Sequence, residues 1–414
     1  MTYINTIGKK AKLASEDLAL ASLQKRNNIL YKIVDLLDKN KDLIIQSNQL
    51  DLDAGEEKGL SSALLDRLTL TDDRIEGMKA GVIKIAGFDD PLGKSLKSWQ
   101  HENGMQITEI SVPIGVIGMI YESRPNVTVD VSALAIKSGN CVILRGGSEA
   151  IHTNKVLADI IREAISQVGM NKDMVQLVEK TDRKYVSDLI TMNDYLDVLI
   201  PRGGRGLKKA IIAGASVPVI ETGEGLCHTY IDASCDLRMA LDIIMNAKTQ
   251  RTGVCNAMET LLVHEAVTEE LLPKLDVLMH EKNFQVRACP ASIKYMDHAI
   301  EADELDWETE YLDAILSIKQ VMSLDEAIRH INHYGSGHSE AIVTDKYDSS
   351  EIFLNRVDAA AVYVNVSTRF TDGDVYGFGG EVGISTQKLH ARGPMGIEAL
   401  TTKKFIVRGH GQIR

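Results

Sequence analysis

The fold class follows from residues 141–169, CVILRGGSEAIHTNKVLADIIREAISQVG. The apolar run CVILR precedes a glycine turn, after which apolar residues recur at helical spacing as far as Gly169. This succession predicts a strand, a turn and a helix. Further strand-like stretches follow at the same kind of spacing: VQLVE at 175–179, YLDVLIP at 195–201 and SVPVIE at 216–221. Strands that alternate with helices predict a parallel sheet with helices on both faces.

A second α/β unit follows Cys255. Expected strands and helices alternate in the order ETLLVH, TEELLPKLDVLMHEKN, FQVRAC, SIKYMDHAI, ILSIKQV, SLDEAIRHINHYG, SEAIVT, DSSEIFLNRV and AAVYVNV. We place the boundary between the two units in residues 222–236, TGEGLCHTYIDASCD, because Gly, Asp and Ser are frequent there. This assignment makes residues 222–236 a linker.

The two ends of the chain carry different patterns. Residues 14–90 predict helices with one apolar stripe each, capped by Ser15 and by Thr71, and such helices cover another element. The tail KKFIVRGHGQIR has one strand-like run, FIV. We expect this run to pair with a separate hairpin at 96–113, either of this chain or of another subunit.

Composition limits the class of protein. A chain of 414 residues exceeds one compact core and predicts two or three domains. The net charge of −12 disfavours nucleic-acid binding, which needs a basic surface. The N-terminus lacks the apolar core of a signal peptide, and no apolar run approaches the ~18 residues of a membrane span. Five irregularly spaced cysteines without a CxxC pair favour reduced thiols in a cytosolic protein, with no zinc site and no disulfide framework.

One cysteine stands in an unusual setting. Cys255 follows Lys248, Arg251 and Gly253, just before the expected strand ETLLVH, and a helix capped by Asp236 ends shortly before it. Cations stabilise a reactive thiolate, and a glycine lets the backbone approach a substrate. Cys255 is therefore a candidate nucleophile, although a buried structural cysteine is the alternative. For the other cysteines a structural role is the better interpretation: Cys141 and Cys289 at strands, Cys227 and Cys235 in the linker.

Two glycine turns join an expected strand to an expected helix, in ILRGGSEA and LIPRGGRGLKKA. Such turns aim backbone N–H groups at anions, and the carboxyl ends of parallel strands are where nucleotides bind. Arg145 ends its strand, and an arginine there suits a 2′-phosphate, which favours NADP over NAD. The alternative is ordinary turn glycines and a surface arginine. The candidate cofactor residues are Arg145, Gly146, Gly147, Ser148, Gly203 and Gly204.

Four further residues are candidates with equally plain alternatives. In ESRPN, Arg124 could bind a carboxylate or phosphate and Asn126 could donate to an oxyanion, or the segment is a simple loop. Glu221 ends an expected strand and could be a general base or a solvated carboxylate. Arg369 is the basic residue of the long glycine-rich connection 366–386, which makes it a candidate anion anchor. The histidines form no HExxH or HxH pattern, so we expect no metal site.

These landmarks together resemble the aldehyde dehydrogenase superfamily. Its members share a helical start, a VPIGVIG-like stretch, a strand that ends in a basic residue, a glycine loop, a Glu at a strand end, a later cysteine and a late FGG. Five motifs resemble more closely the branch that acts on L-glutamate 5-phosphate: YESRPNVT, ILRGGSEA, IPRGGRGL, QRTGVCNAMETLLVH and KLHARGPMGIEALTT. The resemblance covers essentially the whole chain.

The resemblance implies a fold and an activity. The fold is α/β, with a doubly wound NADP-binding domain, an α/β catalytic domain and a small β oligomerisation element. We assign them to residues 1–95 with 114–232, to 233–402, and to 96–113 with 403–414. The implied reaction is NADPH-dependent reduction of L-glutamate 5-phosphate to the 5-semialdehyde and phosphate, in proline biosynthesis. A cytoplasmic homo-oligomer is implied, and glutamate 5-kinase is a possible partner because the acyl phosphate is labile.

The resemblance also implies roles. Cys255 matches the nucleophile that forms a thioester, and Asn126 lies near the oxyanion asparagine, offset by a few residues. Glu310 matches a ribose-binding glutamate, although the neighbouring IFGP motif of the superfamily is absent. Arg145 stands where a lysine contacts the cofactor ribose. Glu221 falls where hydrolytic members hold their base, but this reaction needs no activated water, so we assign it to cofactor binding.

Alternatives remain at this point. The chain could be another acylating or hydrolytic aldehyde dehydrogenase, which dependence on phosphate would distinguish. It could be a cysteine acyltransferase or hydrolase without nicotinamide, which would need a histidine paired with Cys255. A pure binding protein would tolerate loss of the Cys255 thiol. For the predicted reaction, Arg124 and Arg369 are the candidates for the two substrate anions.

Overall fold

The structure is a computed structural model and describes residues 2–414. Most of the N-terminal quarter is helical, as its apolar stripes predict. In chain order the α-helices are α1 Tyr3–Ala19, α2 Leu23–Lys39, α3 Lys41–Glu57, α4 Ser62–Leu68, α5 Asp72–Ala86, α6 Asn126–Lys137, α7 Ile151–Gln167, α8 Lys184–Ile190, α9 Arg205–Gly214, α10 Leu237–Thr249, α11 Glu265–Glu281, α12 Pro290–Ile293, α13 Leu324–Tyr334 and α14 Tyr347–Arg356.

The strands alternate with helices from residue 116 onwards. In chain order they are β1 Ser95–Gln100, β2 Gln106–Pro113, β3 Val116–Tyr121, β4 Cys141–Arg145, β5 Val175–Leu177, β6 Val198–Arg202, β7 Cys227–Ile231, β8 Met258–His264, β9 Gln285–Ala288, β10 Ile300–Glu301, β11 Ile315–Val321, β12 Ser339–Val343, β13 Ala361–Val364, β14 Ile384–Ser385, β15 Gly393–Pro394 and β16 Thr401–Arg408. Short 3₁₀ helices lie at Ser148–Ala150, Lys172–Met174, Glu304–Glu308, Thr368–Phe370 and Glu398–Leu400.

The chain forms two compact units. The first extends to Glu221 and also includes Gly377–Gly383 and Met395–Arg414, and the second comprises Thr222–Tyr376 and Ile384–Pro394. The second unit begins at the start of the stretch 222–236. The late return to the first unit differs from our assignment of 233–402 to one domain. The segment Met395–Arg414 belongs to the first unit because its strand β16 pairs with β2.

The first unit contains a parallel four-stranded sheet in the order β5-β4-β3-β6. β3 and β4 are buried along their whole length, which confirms the strand expected at CVILR. The stretch SVPVIE was wrongly expected to be a full strand. It makes a single bridge, between Leu199 and Val219, because Pro218 has no N–H to donate to a ladder.

The second unit contains a parallel seven-stranded sheet in the order β10-β9-β11-β8-β7-β12-β13. Its β7 lies inside the stretch that we expected to be a linker, so the linker position of Cys227 was wrong. Polar His228 and Thr229 hide this strand in the sequence, although both side chains are buried. The helix expected at SIKYMDHAI is also wrong beyond α12, because the Asp276 carboxylate accepts from the backbone of Asp297, 2.9 Å away, and holds a loop there.

A separate antiparallel sheet joins the two ends of the first unit. β1 and β2 form the predicted hairpin, and β16 pairs with β2 from Thr401 opposite Pro113 to Arg408 opposite Gln106. The expected pairing of FIV with the hairpin is therefore confirmed, within this chain. Whether the sheet serves assembly stays a prediction.

The helix caps were partly predicted. Thr71 caps α5, accepting from Arg74 N at 3.3 Å, as expected. Ser15 does not cap a helix, because α1 begins earlier, at a Thr2 cap, and continues through Ser15. Ser22 caps the next helix. No helix within residues 2–414 has the length and apolar character that a membrane crossing requires.

Candidate active site

The loop of Cys255 connects α10 to β8. Asp236 caps α10 as predicted, and Ala257 N donates to Val254 O at 3.1 Å, which closes a turn around Cys255. Gly225 packs directly on this turn, since a Cβ added to it would lie 1.7 Å from Cys255 O. The Cys227 thiol donates to the same carbonyl at 3.2 Å. The backbone of the candidate nucleophile is thus held from the segment that leads into β7.

Glu310 lies beside the same turn. Its Oε1 accepts from Gly225 N at 2.8 Å, so the glycine that contacts Cys255 also bonds to Glu310. The structure therefore brings two predicted residues, Cys255 and Glu310, into contact with one glycine. A carboxylate that accepts from a backbone N–H keeps further lone pairs for a ligand hydroxyl.

Arg369 is the third predicted residue at this site. It lies in the 3₁₀ helix Thr368–Phe370, and its Nε donates to Gln250 Oε1 at 3.0 Å, just after α10 ends. Burial lowers the pKa of Arg369, Arg251 lowers it further, and negative charge on Cys255 raises it. The Arg369 guanidinium thus interacts electrostatically with the thiol, which suits an anionic substrate.

A fully buried ion pair joins the elements before and after the Cys255 loop. Lys248 Nζ on α10 lies 2.5 Å from Glu259 Oε2 on β8, and both side chains are 0% exposed. Burial raises the pKa of Glu259 to about 7, against the opposing effect of Lys248. Burial likewise lowers the pKa of Lys248. The pair thus connects the two elements that flank Cys255. For both groups, the loss of water contact on burial is the largest effect on the pKa.

A buried polar network near Cys227 escaped the sequence analysis. Cys227 Sγ lies 3.7 Å from His338 Nδ1, which lies 2.7 Å from Ser339 Oγ. Ser339 Oγ lies 2.6 Å from Thr371 Oγ1, whose other partner is the Tyr363 hydroxyl at 2.7 Å. The available signal was the polar run SGHSE, whose last two residues, Ser339 and Glu340, begin strand β12. Its partners come from distant stretches, so spacing could not reveal them.

In the first unit, the ESRPN turn and the first glycine turn are tied together. Glu149 Oε1 accepts from both Ser123 N and Ser123 Oγ at 2.7 Å. A Cβ on Gly147 would lie 2.0 Å from the same oxygen, and a Cβ on Gly146 would lie 2.2 Å from Asn154 Nδ2. Gly146 is therefore required for close packing against the buried Asn154, whereas the atom that faces Gly147 is the end of the flexible Glu149 side chain. Ser148 is exposed at the start of the following 3₁₀ helix, and Arg124 follows Ser123 in the tied turn.

Arg145 and Asn126 contact their own unit in ways that the sequence did not predict. The Arg145 guanidinium donates to the backbone oxygens of Gly146 and Thr181, the latter at 2.9 Å. Its Nε is buried without a hydrogen-bond partner within residues 2–414. Asn126 begins α6, and its Nδ2 donates to Asp130 Oδ2 at 2.9 Å. The amide is therefore occupied by a carboxylate of the same helix.

The second glycine turn holds a carboxylate of the chain itself. Gly204 N donates to Glu122 Oε2 at 2.8 Å, at the start of α9. A Cβ on Gly203 would lie 2.5 Å from that oxygen. The helix N-terminus thus attracts an anion, as the glycine turn predicts. Glu221 is partly buried at the last residue of the first unit before the chain enters the second.

The predicted residues divide between the units. Cys255, Glu310 and Arg369 are brought together in the second unit. The remaining candidates lie in the first unit: Arg124, Asn126, Arg145, Gly146, Gly147, Ser148, Gly203, Gly204 and Glu221.

Comparison with known proteins identifies the family of this chain. The model of the aldehyde dehydrogenase family matches residues 2–287 and 299–406. This chain belongs to the aldehyde dehydrogenase family. It is an oxidoreductase of that family, whose enzymes use a nicotinamide cofactor.

Three relatives are similar over the full length. A gamma-glutamyl phosphate reductase of Francisella philomiragia is 56% identical over 408 residues, which cover 99% of either chain. One of Clostridium tetani is 52% identical over 422 residues, covering 100% of this chain and 99% of the relative. The crystal structure of gamma-glutamyl phosphate reductase from Thermotoga maritima has a TM-score of 0.98 at 45% identity, covering 100% of both chains. These likenesses confirm the predicted family and fold.

Proposed function

We propose that this enzyme reduces L-glutamate 5-phosphate to L-glutamate 5-semialdehyde and phosphate with NADPH, a step of proline biosynthesis. The observation that carries the proposal is the Cys255 loop, which is tied to the turn of Arg369 and interacts electrostatically with its guanidinium. An acyl phosphate is an anion with a good leaving group, so a thiol beside a cation suits it. The names of the full-length relatives support the same substrate.

Cys255 performs covalent catalysis in this proposal. Its thiolate attacks the carbonyl carbon of the acyl phosphate, a C–S bond forms, and the C–O bond to phosphate breaks with the electron pair leaving on phosphate. The thiol proton is lost to solvent, and the enzyme carries a thioester. When the aldehyde is released, the sulfur departs as a thiolate, which restores Cys255. Gly225 and Cys227 act by holding the backbone of Cys255 during these steps.

The residues present fit a nicotinamide dinucleotide. The buried Arg145 Nε, unpartnered within residues 2–414, lies at the carboxyl end of β4, where a parallel sheet binds nucleotides. NADPH, when bound, supplies the hydride for the reduction. We assign its binding to the two glycine turns, to Arg145 and to two carboxylates that suit ribose hydroxyls. The assigned residues are Arg145, Gly146, Gly147, Ser148, Gly203, Gly204, Glu221 and Glu310.

The substrate needs contacts for two anions and for an oxyanion. We assign the anions to Arg124 and Arg369, and the oxyanion to the Asn126 amide together with backbone N–H groups of the Cys255 loop. Asn126 must then exchange its bond to Asp130 for one to the substrate. Glu221 has no step as a base, because phosphate rather than water releases the acyl group in the reverse direction.

The small antiparallel sheet suits assembly. Its strands β1 and β16 expose apolar side chains, among them Leu96, Trp99, Phe405 and Val407. Trp99 and Phe405 meet edge to face with ring centres 6.3 Å apart. We assign residues 96–113 and 403–414 to subunit contact in a cytoplasmic homo-oligomer. Glutamate 5-kinase is the proposed supplier of the labile acyl phosphate.

The test runs the reaction in reverse. NADP⁺ reduction by glutamate 5-semialdehyde is measured with and without inorganic phosphate, for wild type and Cys255→Ala. We expect the signal to require phosphate and to fall by roughly 10⁴-fold or more without the thiol. Signal without phosphate would identify a hydrolytic relative with Glu221 as the base. A wild-type enzyme inactive in both conditions would remove the substrate assignment.

A further inference from the structure

The residue after the nucleophile is tied to the turn that carries Arg369. Asn256 is 5% exposed, and its Nδ2 donates to Arg369 O at 3.2 Å and to Thr371 O at 2.9 Å. In return, Thr368 Oγ1 donates to Asn256 O at 2.8 Å. Three hydrogen bonds therefore join one residue of the Cys255 loop to both ends of a single 3₁₀ turn, across more than a hundred residues of sequence.

We propose that Asn256 is a positioning residue, which holds the Arg369 guanidinium beside the Cys255 thiol and so gives the site its preference for anionic acyl substrates. This inference rests on the proposed function and deepens it. Asn256 acts through Arg369 rather than on the substrate.

Electrostatics explains why Arg369 must be held. Burial and the like charge of Arg251 both work against the charged form of Arg369, as the lowered pKa of Arg369 shows. A guanidinium group on a flexible stem would relieve both effects by turning towards water. The guanidinium end of the Arg369 side chain is held by the hydrogen bond from Nε to Gln250 Oε1. Asn256 fixes the backbone end, so the charge remains near the thiol.

The amide is the group that this position requires. Two backbone oxygens surround Nδ2, so the NH₂ group must point towards them. The Oδ1 atom is buried without a hydrogen-bond partner within residues 2–414. Aspartate has the same shape but would place an acceptor against two acceptors. Asn256→Asp therefore removes the two side-chain hydrogen bonds of the connection with little change in volume.

The test compares two alkylating reagents at Cys255. Iodoacetate is anionic and iodoacetamide is neutral, and mass spectrometry of the Cys255 peptide gives the rate of each at this thiol alone. The ratio of the two rates reports cationic charge beside the sulfur and cancels general changes in thiol reactivity. We expect Asn256→Ala to lower the iodoacetate-to-iodoacetamide ratio by about 3- to 10-fold. Asn256→Asp should lower the ratio further, because its carboxylate also adds negative charge near the sulfur.

A double-mutant cycle shows whether Asn256 acts through Arg369. Arg369→Gln should lower the ratio by a similar factor, and Asn256→Ala should add nothing in the Arg369→Gln background. Asn332 provides the matched control, because its Nδ2 also donates to a backbone oxygen, Arg356 O, at 2.9 Å in the same unit. Asn332→Asp should leave the ratio unchanged.

Other outcomes overturn the inference. If Arg369→Gln lowers the ratio while Asn256→Ala keeps it, Asn256 does not position the arginine. The same conclusion follows if the effect of Asn256→Ala persists in full without Arg369. Should the Asn256 variants fail to fold, Thr368→Val cuts the third bond of the same connection, and an unchanged ratio in that variant rejects the proposal.

The two proposals fail separately. Alkylation requires neither substrate nor cofactor, so a lowered ratio in an enzyme without phosphate-dependent activity would retain the positioning role and reject the substrate. In an active enzyme, the Asn256 variants should raise the KM for phosphate about 3- to 10-fold and leave the response to the neutral reagent unaltered.

Discussion

The two parallel sheets of this enzyme differ in what they bury. In the first unit, the central strands β3 and β4 contain apolar residues and one glycine, with Arg145 at the last position. In the second unit, three adjacent strands bury charged and polar side chains along their length. They are His228, Thr229, Glu259, Thr260, Ser339 and Glu340.

The difference follows the positions of the candidate residues. In the first unit the glycine turns come after β4 and β6, at the carboxyl ends of the strands. In the second unit Gly225, Cys255 and His338 come shortly before β7, β8 and β12, at the amino ends. The buried pairs His228–Glu340 and Lys248–Glu259 connect neighbouring elements there. In the proposed function, these buried polar groups position the Cys255 thiol, and the second sheet buries less apolar surface as a result.

The strongest test removes one partner of the buried ion pair. Glu259→Ala leaves the Lys248 ammonium in a fully buried position without its counter-ion, and we expect the free energy of unfolding to fall by about 3–5 kcal/mol. Urea denaturation measures the loss. Glu179→Ala in the first unit is the matched control, since the Lys155–Glu179 pair is about half exposed, and it should cost less than about 1 kcal/mol.

The double replacement Lys248→Met with Glu259→Leu separates positioning from stability. An apolar pair of similar volume should recover most of the stability lost in Glu259→Ala. Activity should remain low if the pair positions the Cys255 loop. A double variant as active as wild type would contradict the idea that the buried charges of this sheet serve the site.

The second test adds one methyl group at the thiol loop. In Gly225→Ala the new Cβ overlaps the backbone of Cys255, which cannot move without moving the proposed nucleophile. We expect turnover to fall by about 10²-fold or more, because small displacements of reacting groups have effects of this size. Gly147→Ala is the counterpart in the first unit. Its Cβ meets the end of the Glu149 side chain, which can rotate away, so equal losses in the two variants would contradict the comparison.

How far the sequence predicts this molecule depends on the range of the interactions. The strands β4 and β11 have the bounds that CVILR and ILSIKQV predict, because local apolar patterns suffice for them. Strand β7 was missed because its polar residues become buried only through distant partners, such as Glu340 for His228. The sequence pattern assigns a structural preference to each residue separately, so it predicted a linker at residues 222–236.

The candidate site shows the same division. Cys255, Glu310 and Arg369 were found from local setting or family resemblance, and the structure brings them together. Gly225 and Asn256 were missed, because a missing side chain and a single amide carry no signal until their contacts are known. Arg145 and Asn126 were found as candidates, but their bonds to Thr181 and Asp130 could not be read from spacing.

A pH test examines a carboxylate in the first unit. Burial raises the pKa of Asp130 from its ordinary value of 3.8 to about 6, against the opposing effects of Asn126 and Arg202. The native state therefore binds more protons between about pH 4 and pH 6, and the free energy of unfolding falls as pH rises through this window. Asp130→Asn should remove a fall of about 2 kcal/mol in urea titrations at several pH values. An identical pH profile in the variant would show that Asp130 does not titrate in this range.

The smallest expected effect has the opposite sign. Gly77 lies exposed inside α5, and a Cβ added there meets no atom within 4 Å. Gly77→Ala should raise the free energy of unfolding by about 0.5–1 kcal/mol, because glycine in a helix interior costs conformational entropy. Thermal and urea unfolding measure the gain, and activity should not change. The same substitution at Gly77 and Gly225 should thus stabilise one unit and disable the other, since only Gly225 leaves room for the backbone of the proposed nucleophile. A loss of activity in Gly77→Ala would mean that the contacts around a glycine do not predict whether its substitution affects activity.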